Sequence, residues 1–268
     1  MPDVYNVVAE LPQAVADQLA DAMELRAADP QQQAMLATYL VDLDLPEGAR
    51  VLEIGCGTGA ISRVLATRQG IREVVGVDPS PVFLARAERL AAGMPGLSFQ
   101  QGDGQSLPIR DASFDAVIVH TVLCHVLEPE QVLAQASRVL RPAGRIGVFE
   151  GDYNTMSVAT SDLDPLQACA TAFVSNYVHD RWIVRRLPAM VSAAGFAGPR
   201  LRSYGYAQIT DAAYLLSVVD RGADALAAGG HAGPELVRGL KAEARRRVQA
   251  SVFFGYIAYA SLTVSKKA

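Results

Sequence analysis

The segment Val51-Leu52-Glu53-Ile54-Gly55-Cys56-Gly57-Thr58-Gly59 restricts the fold of this chain more than any other. A short apolar run, of the kind buried as a parallel strand, passes into a turn with three glycines and then into the helix-like Ala60 to Thr67. Alternate glycines let the backbone turn sharply and come within contact distance of a ligand, while the following helix aims unpaired N–H groups at the same place. A ligand site is therefore expected at this junction. The glycines alone leave its ligand open, because Gly55, Gly57 and Ala60 also satisfy the loosened G-x-G-x-x-G/A dinucleotide pattern. Glu53 argues against a pyrophosphate: at about 4 Å and an effective dielectric of roughly 20, the repulsion reaches about 4 kcal/mol as an upper value. A ligand carrying an ammonium and a sulfonium would be attracted instead.

Glu53 to Gly59 resembles the first motif of class I S-adenosylmethionine-dependent methyltransferases. Three later stretches repeat the resemblance in order: Val77-Asp78-Pro79-Ser80, then Gly102-Asp103-Gly104 with Leu107-Pro108, then Phe114 to His120. Arg138 to Arg145 resembles the family's connection into its fifth strand, where a second glycine is commoner than Ala143. Within the family, the small-molecule branch that includes ubiquinone and menaquinone biosynthesis enzymes is the most similar. The match covers roughly residues 45 to 150. It implies a Rossmann-like, doubly wound α/β fold with a seven-stranded sheet and an antiparallel last strand. It also implies S-adenosyl-L-methionine as cofactor and S-adenosyl-L-homocysteine as product.

At 268 residues, one full-size methyltransferase domain is expected, with 1–44 as an N-terminal helical lid, 45–150 as the cofactor-binding core and 151–250 carrying helical cap insertions. The formal net charge of -4 gives no basic footprint, which argues against nucleic acid as acceptor, and the resemblance to the small-molecule branch implies a small-molecule acceptor. The runs Arg185-Arg186 and Arg245-Arg246-Arg247 read as solvated helix faces. Three widely separated cysteines, Cys56, Cys124 and Cys169, suggest neither a disulfide framework nor a four-ligand zinc site. The first residues lack signal-peptide character and no apolar run reaches a membrane span, so a cytoplasmic protein is expected. Assembly is left open between a monomer and a homodimer.

Along the chain, residues 12 to 28 place Val15, Leu19, Ala22, Met23 and Leu25 at helical spacing. Asp29-Pro30 then caps a second helix carrying Met35, Leu36, Tyr39 and Leu40. In the resembling family such helices cover the cleft, and Tyr5 with them; plain packing on the sheet is the competing reading. Glu73 to Asp78 reads as a second strand ending in an acid. At the carboxyl end of a parallel strand, Asp78 can accept from both ribose hydroxyls; the alternative is an N-cap for a helix from Pro79 to Ala92, a role Ser80 also fits, with Pro79 in the first turn. Resemblance puts Asp103 near the adenine amine with Gly104 beside it, against Asp103 as a mere turn former. The fourth strand is Phe114 to Val119 with His120 at its end. The fifth is Arg145 to Glu150, leading into Gly151-Asp152-Tyr153. Helices are expected over 165–179, 182–194, 211–226 and 234–250, a sixth strand over 199–207 and the last over 253–264.

Methyl transfer from a sulfonium is an in-line displacement in which holding donor and nucleophile aligned can supply roughly 7 to 11 kcal/mol. The cofactor set carried by the resemblance is Glu53, Gly55, Gly57, Gly59, Asp78, Pro79, Asp103, Gly104 and His120, the last through position or backbone. If a base is needed, His125, facing either acceptor or solvent, and His179, beside Asp180 in the cap, are the catalytic candidates. His231 reads as exposed. One of Glu150, Asp152 and Tyr153 is expected at the acceptor. Trp182, Phe173 and Tyr177 read either as an acceptor wall or as core. No metal is expected. Competing functions are a non-methylating S-adenosylmethionine enzyme catalysing cyclisation or decarboxylation, a nucleotide-binding Rossmann protein, and a non-catalytic partner subunit.

Overall fold

The computed structural model describes residues 4–267. A short 3-10 segment, Val4–Glu10, precedes α1 (Gln13–Ala28) and α2 (Pro30–Leu43). Strands and helices then alternate: β1 (Ala49–Ile54), α3 (Ala60–Ala66), β2 (Ile71–Asp78), α4 (Pro81–Leu90), β3 (Leu97–Gln101), β4 (Phe114–His120), α5 (Pro129–Val139) and β5 (Leu140–Ser157). The rest comprises α6 (Leu166–Tyr177), α7 (Ile183–Ala193), β6 (Phe196–Gln208), α8 (Ala213–Ala228), α9 (Pro234–Gln249) and β7 (Gly255–Lys266).

The seven strands form one sheet in the order β3-β2-β1-β4-β5-β7-β6. The first five run parallel, and β7 lies antiparallel between β5 and β6, as the family resemblance implied. The central strands are continuous apolar runs because helices cover both faces: Val51, Leu52, and Ala116 through Val119 have no exposed surface. Parallel strands joined by helical crossovers place the carboxyl ends of β1, β2 and β4 on one edge. Among the described residues, no helix is long and apolar enough to cross a membrane.

Several expectations are corrected. The fourth helix starts at Pro81, with the Ser80 hydroxyl accepting from the Phe83 N–H, so Pro79 lies before the helix and Asp78 is not its cap. In α1 the buried residues are Ala16, Leu19 and Ala20, while Val15 and Leu25 are exposed: a close-packed helix presents its small residues where it lies against its neighbours. β5 does not stop at Glu150. It runs to Ser157, because β7 pairs with it from Arg145↔Ser265 through Asp152↔Ala258 and again at Ser157↔Tyr256. Ala143 has φ 61°, the left-handed region that favours glycine, which accounts physically for the glycine common there in the resembling family. Arg247 is no solvated residue: its guanidinium pairs with the buried Asp164 carboxylate, joining α9 to the start of α6.

Candidate active site

The glycine turn is held by the strand beside it. The N–H groups of Gly55 and Cys56 donate to the Val77 carbonyl at 2.7 and 3.0 Å, and that of Gly57 donates to Asp78 Oδ2 at 2.8 Å. Gly55, Gly57 and Gly59 have φ of 70°, 52° and 71°, where a side chain is strained. A Cβ at Gly55 would lie 2.4 Å from Val122 in the loop after β4, and one at Gly57 would lie 2.8 Å from Met23 Sδ of α1. The turn is therefore sandwiched between that loop and α1. Two further contacts fasten α1 there: Glu24 pairs with Arg63 at 2.7 Å and accepts from the Thr58 hydroxyl.

A cavity opens between this turn, the strand ends and the helices above them. Three acids reach its wall from β1, β2 and the loop after β3: Glu53, Asp78 and Asp103. Burial pushes the Glu53 carboxyl up to about 8; the Ser62 hydroxyl bonded to it opposes that shift and the Asp78 charge adds to it. Burial likewise raises Asp78 to about 6, against the N–H groups of Ser80 and Gly57 that it accepts. Each Asp78 oxygen has a second lone pair, so these bonds leave acceptor capacity for a ligand diol. Asp103 is exposed and accepts from the Gln105 N–H at 2.8 Å, so it forms its turn as well as facing the cavity. Pro79 and Gly104 also line the wall. Gly59 does not: a Cβ there would strike the Phe99 ring at 2.6 Å, so this glycine serves the packing of α3 on β3.

At the end of β4, His120 is buried on the cavity wall, with Nδ1 3.1 Å from the Tyr39 hydroxyl and its ring stacked on Phe149 at 4.5 Å between centroids. Burial, and then the Arg26 cation, hold it well below the usual histidine range, so it is neutral near pH 7. Thr121 follows with φ 53°, a backbone conformation uncommon outside glycine and frequent at functional sites. Its hydroxyl accepts from Arg26 Nη2 at 2.7 Å. The next two N–H groups, of Val122 and Leu123, donate to Glu150 Oε1 at 2.8 and 2.6 Å, which fixes the loop that carries His125. His125 is half-buried on the wall, its ring 4.3 Å from that of Tyr5.

The structure does not bring His179 to the cavity. It is exposed and off the wall, and the Asp180 carboxylate beside it is engaged by the Trp182 N–H and Arg186. Trp182 is also exposed, under the Arg185 guanidinium, whereas Phe173 and Tyr177 do line the wall. Of the three acceptor candidates in the second half of β5, only Tyr153 faces the cavity; Asp152 pairs with Arg185 and Glu150 is buried beneath the β4 loop. Among the described residues, no group of three or more His, Cys, Asp or Glu side chains could hold a metal ion.

Residues 52–148 match the family model described as "Methyltransferase domain". This segment is a class I S-adenosylmethionine-dependent methyltransferase domain. An uncharacterized 37.1 kDa protein in transposon TN4556 of Streptomyces fradiae is 32% identical over 187 residues, 69% of this chain and 54% of that protein. A 2-phytyl-1,4-naphtoquinone methyltransferase of Thermosynechococcus vestitus is 34% identical over 109 residues, 40% of this chain and 48% of that one. The chain thus spans about half the length of these curated relatives. In fold it resembles the crystal structure of the [4+2]-cyclase SpnF, with TM-score 0.60 and 23% identity over all of this chain and 98% of that one. At that identity the likeness concerns architecture and carries no reaction with it.

Some wall residues of the methyltransferase domain and its flanking helices were not singled out in the sequence: Arg26 and Gln32 at the corner between α1 and α2, and Tyr214 and Arg221 from α8. A cation three residues after Met23 was the one local signal for Arg26. Nothing local showed that its helix lies across the strand ends.

Proposed function

We propose that this chain transfers a methyl group from S-adenosyl-L-methionine to an O, N or C nucleophile of a small molecule. The observation that carries this reading is the row of acids at successive strand ends, Glu53, Asp78 and Asp103, on one cavity wall beside the left-handed glycine turn. The donor set fits the group: Glu53 suits an ammonium, Asp78 a ribose diol and Asp103 an exocyclic amine. Gly55, Gly57 and Gly104 give close backbone approach, and Pro79 shapes the wall beside Asp78. When bound, the cofactor supplies a methyl group made electrophilic by its sulfonium. The chain's residues bind, orient and exclude water. α1 closes over the glycine turn through Met23 and Glu24, and His120 presents a neutral ring where the β4 end meets the cavity. Alignment of the two reactants then supplies roughly 7 to 11 kcal/mol without an obligatory base. Where the nucleophile carries a proton, His125 is the residue on the wall able to take it. The named quinone methyltransferase relative supports a small-molecule acceptor.

Calorimetric titration with S-adenosyl-L-methionine tests the first half, and transfer of labelled methyl into a small-molecule product tests the second. Absence of binding heat sinks the reading. Binding together with an altered but unlabelled product would favour cyclisation or decarboxylation instead.

A further inference from the structure

The charges on the cavity wall are divided in space. The three acids come from β1, β2 and the loop after β3, whereas the two guanidinium groups, Arg26 and Arg221, come from α1 and α8. Among the described residues neither arginine forms an ion pair. Arg26 has one side-chain hydrogen bond, to the Thr121 hydroxyl. Arg221 lies over the Phe173 and Tyr177 rings, 4.6 and 5.3 Å from their centroids, and donates to Ser217. Both arginines are half-buried, and a cation partly withdrawn from water without a counter-charge gains when something negative joins it.

A second observation points to the same occupant. Gln32, at the first turn of α2, is 95% buried on the wall, and its Nε2 donor has no partner among the described residues. A buried amide donor left unmade costs about 1 to 3 kcal/mol, which an acceptor oxygen in the cavity would relieve. The corner between α1 and α2 therefore presents a guanidinium and an amide with donors to spare.

The titratable side chains facing Arg26 are Tyr5, His120, Tyr153, Tyr206, Tyr214 and Tyr259, from the segment before α1, the end of β4, β5, β6, α8 and β7. Arg26 thus stands among aromatic side chains of the cavity wall.

We propose that the methyl acceptor is an aromatic anion, a planar ring system bearing a carboxylate or phenolate, whose anionic oxygens are received by Arg26 and Gln32 and whose rings lie among Tyr153, Phe173, Tyr177 and Tyr214. This rests on the methyltransferase reading and specifies its acceptor class.

The test is calorimetry on the full chain saturated with S-adenosyl-L-homocysteine, using 2-naphthoate and the uncharged, nearly isosteric 2-naphthamide as probes. Naphthoate is expected to bind at least about thirtyfold tighter than the amide, the scale of a charge paired in a desolvated site. Arg26→Gln should abolish that preference, Arg26→Lys should restore part of it, and both should leave S-adenosyl-L-homocysteine affinity within about twofold. Gln32→Met, which does not touch the cation, should weaken naphthoate by about fivefold and the amide, whose carbonyl oxygen also accepts, by less. Equal affinity for the two probes, binding of neither, or a preference that survives both Arg26→Gln and Gln32→Met overturns the proposal. So does a loss of S-adenosyl-L-homocysteine affinity in Arg26→Gln, which would give the guanidinium to the cofactor's own carboxylate. Failure of the wild-type protein to bind S-adenosyl-L-homocysteine would instead count against the methyltransferase reading.

Discussion

Binding of an ammonium beside Glu53 should expel a proton. Burial holds that carboxyl at about 8, so in the unliganded protein it is roughly nine-tenths protonated at pH 7. A ligand ammonium about 4 Å away, at an effective dielectric of roughly 20, favours the ionised form by about 4 kcal/mol as an upper value, or some three pKa units. The carboxyl then falls to around 5. The folded protein holds the proton before binding and loses it on binding, so raising the pH removes a competitor and strengthens binding. Affinity should climb up to about tenfold per unit between roughly pH 5 and 8 and level off above that. For the unliganded protein the direction is opposite: the folded state keeps a proton that the unfolded chain releases, so stability falls as pH rises from the ordinary glutamate value of 4.5 toward about 8. Asp78, held at about 6, is mostly ionised at pH 7 and adds little to the release there. Titrating S-adenosyl-L-homocysteine at pH 7 in phosphate and in Tris, whose ionisation enthalpies differ, reads the release as a slope of observed enthalpy near 0.9 proton. Glu53→Gln should flatten that slope and weaken binding. A wild-type slope near zero, or one that Glu53→Gln leaves intact, would falsify both the placement of the ammonium and the protonation state of the carboxyl.

Three further outcomes are expected. Asp78→Asn, which keeps the shape but removes the charge accepting from Gly57 and Ser80, should weaken S-adenosyl-L-homocysteine by about 1.5 to 3 kcal/mol in the same calorimeter; unchanged affinity removes Asp78 from the ribose. Asp164→Asn breaks a buried pair with Arg247 and should lower unfolding free energy by about 3 kcal/mol in urea, with no change in cofactor affinity; a loss under 1 kcal/mol would show that the pair is dispensable. Gly222→Ala sets a Cβ 1.9 Å from the Cys169 carbonyl, where α8 crosses α6, and should cost about 1 to 3 kcal/mol while displacing the neighbouring Arg221; a melting temperature equal to wild type would mean the helices part freely.

The parts of the fold legible in the sequence are those whose signal is local. Val51 to Ile54 and Phe114 to Val119 announce buried parallel strands because both faces are covered, and an acid after such a run, as at Asp78, marks a strand end. Asp29-Pro30 opens α2 as expected, the carboxylate accepting from the N–H groups of Gln31 and Gln32. What failed depended on distant partners. The extension of β5 through Asp152 is decided by Ala258, over a hundred residues away, and no alternation within Gly151 to Ser157 reveals it. His179 beside Asp180 looked like an oriented base, but adjacency along the chain says nothing about facing, and the carboxylate turns to Arg186.

The same distinction separates the two halves of the cavity. Its acids sit at positions that the sheet fixes, since every parallel strand delivers its carboxyl end to one edge, and a reader of the sequence can gather Glu53, Asp78 and Asp103 from strand order alone. Its cations sit on α1 and α8, nearly two hundred residues apart, and meet only because both helices pack over that edge. On the proposed reading, the sheet supplies the part of the site suited to a cationic nucleoside, and the helices outside the 52–148 segment supply the part that recognises what is methylated. If that division holds, substitutions at Arg26, Gln32 and Arg221 should change which acceptor is bound while substitutions at the strand ends change whether the cofactor is bound. Exchange of the two effects would mean that the cavity has been read back to front.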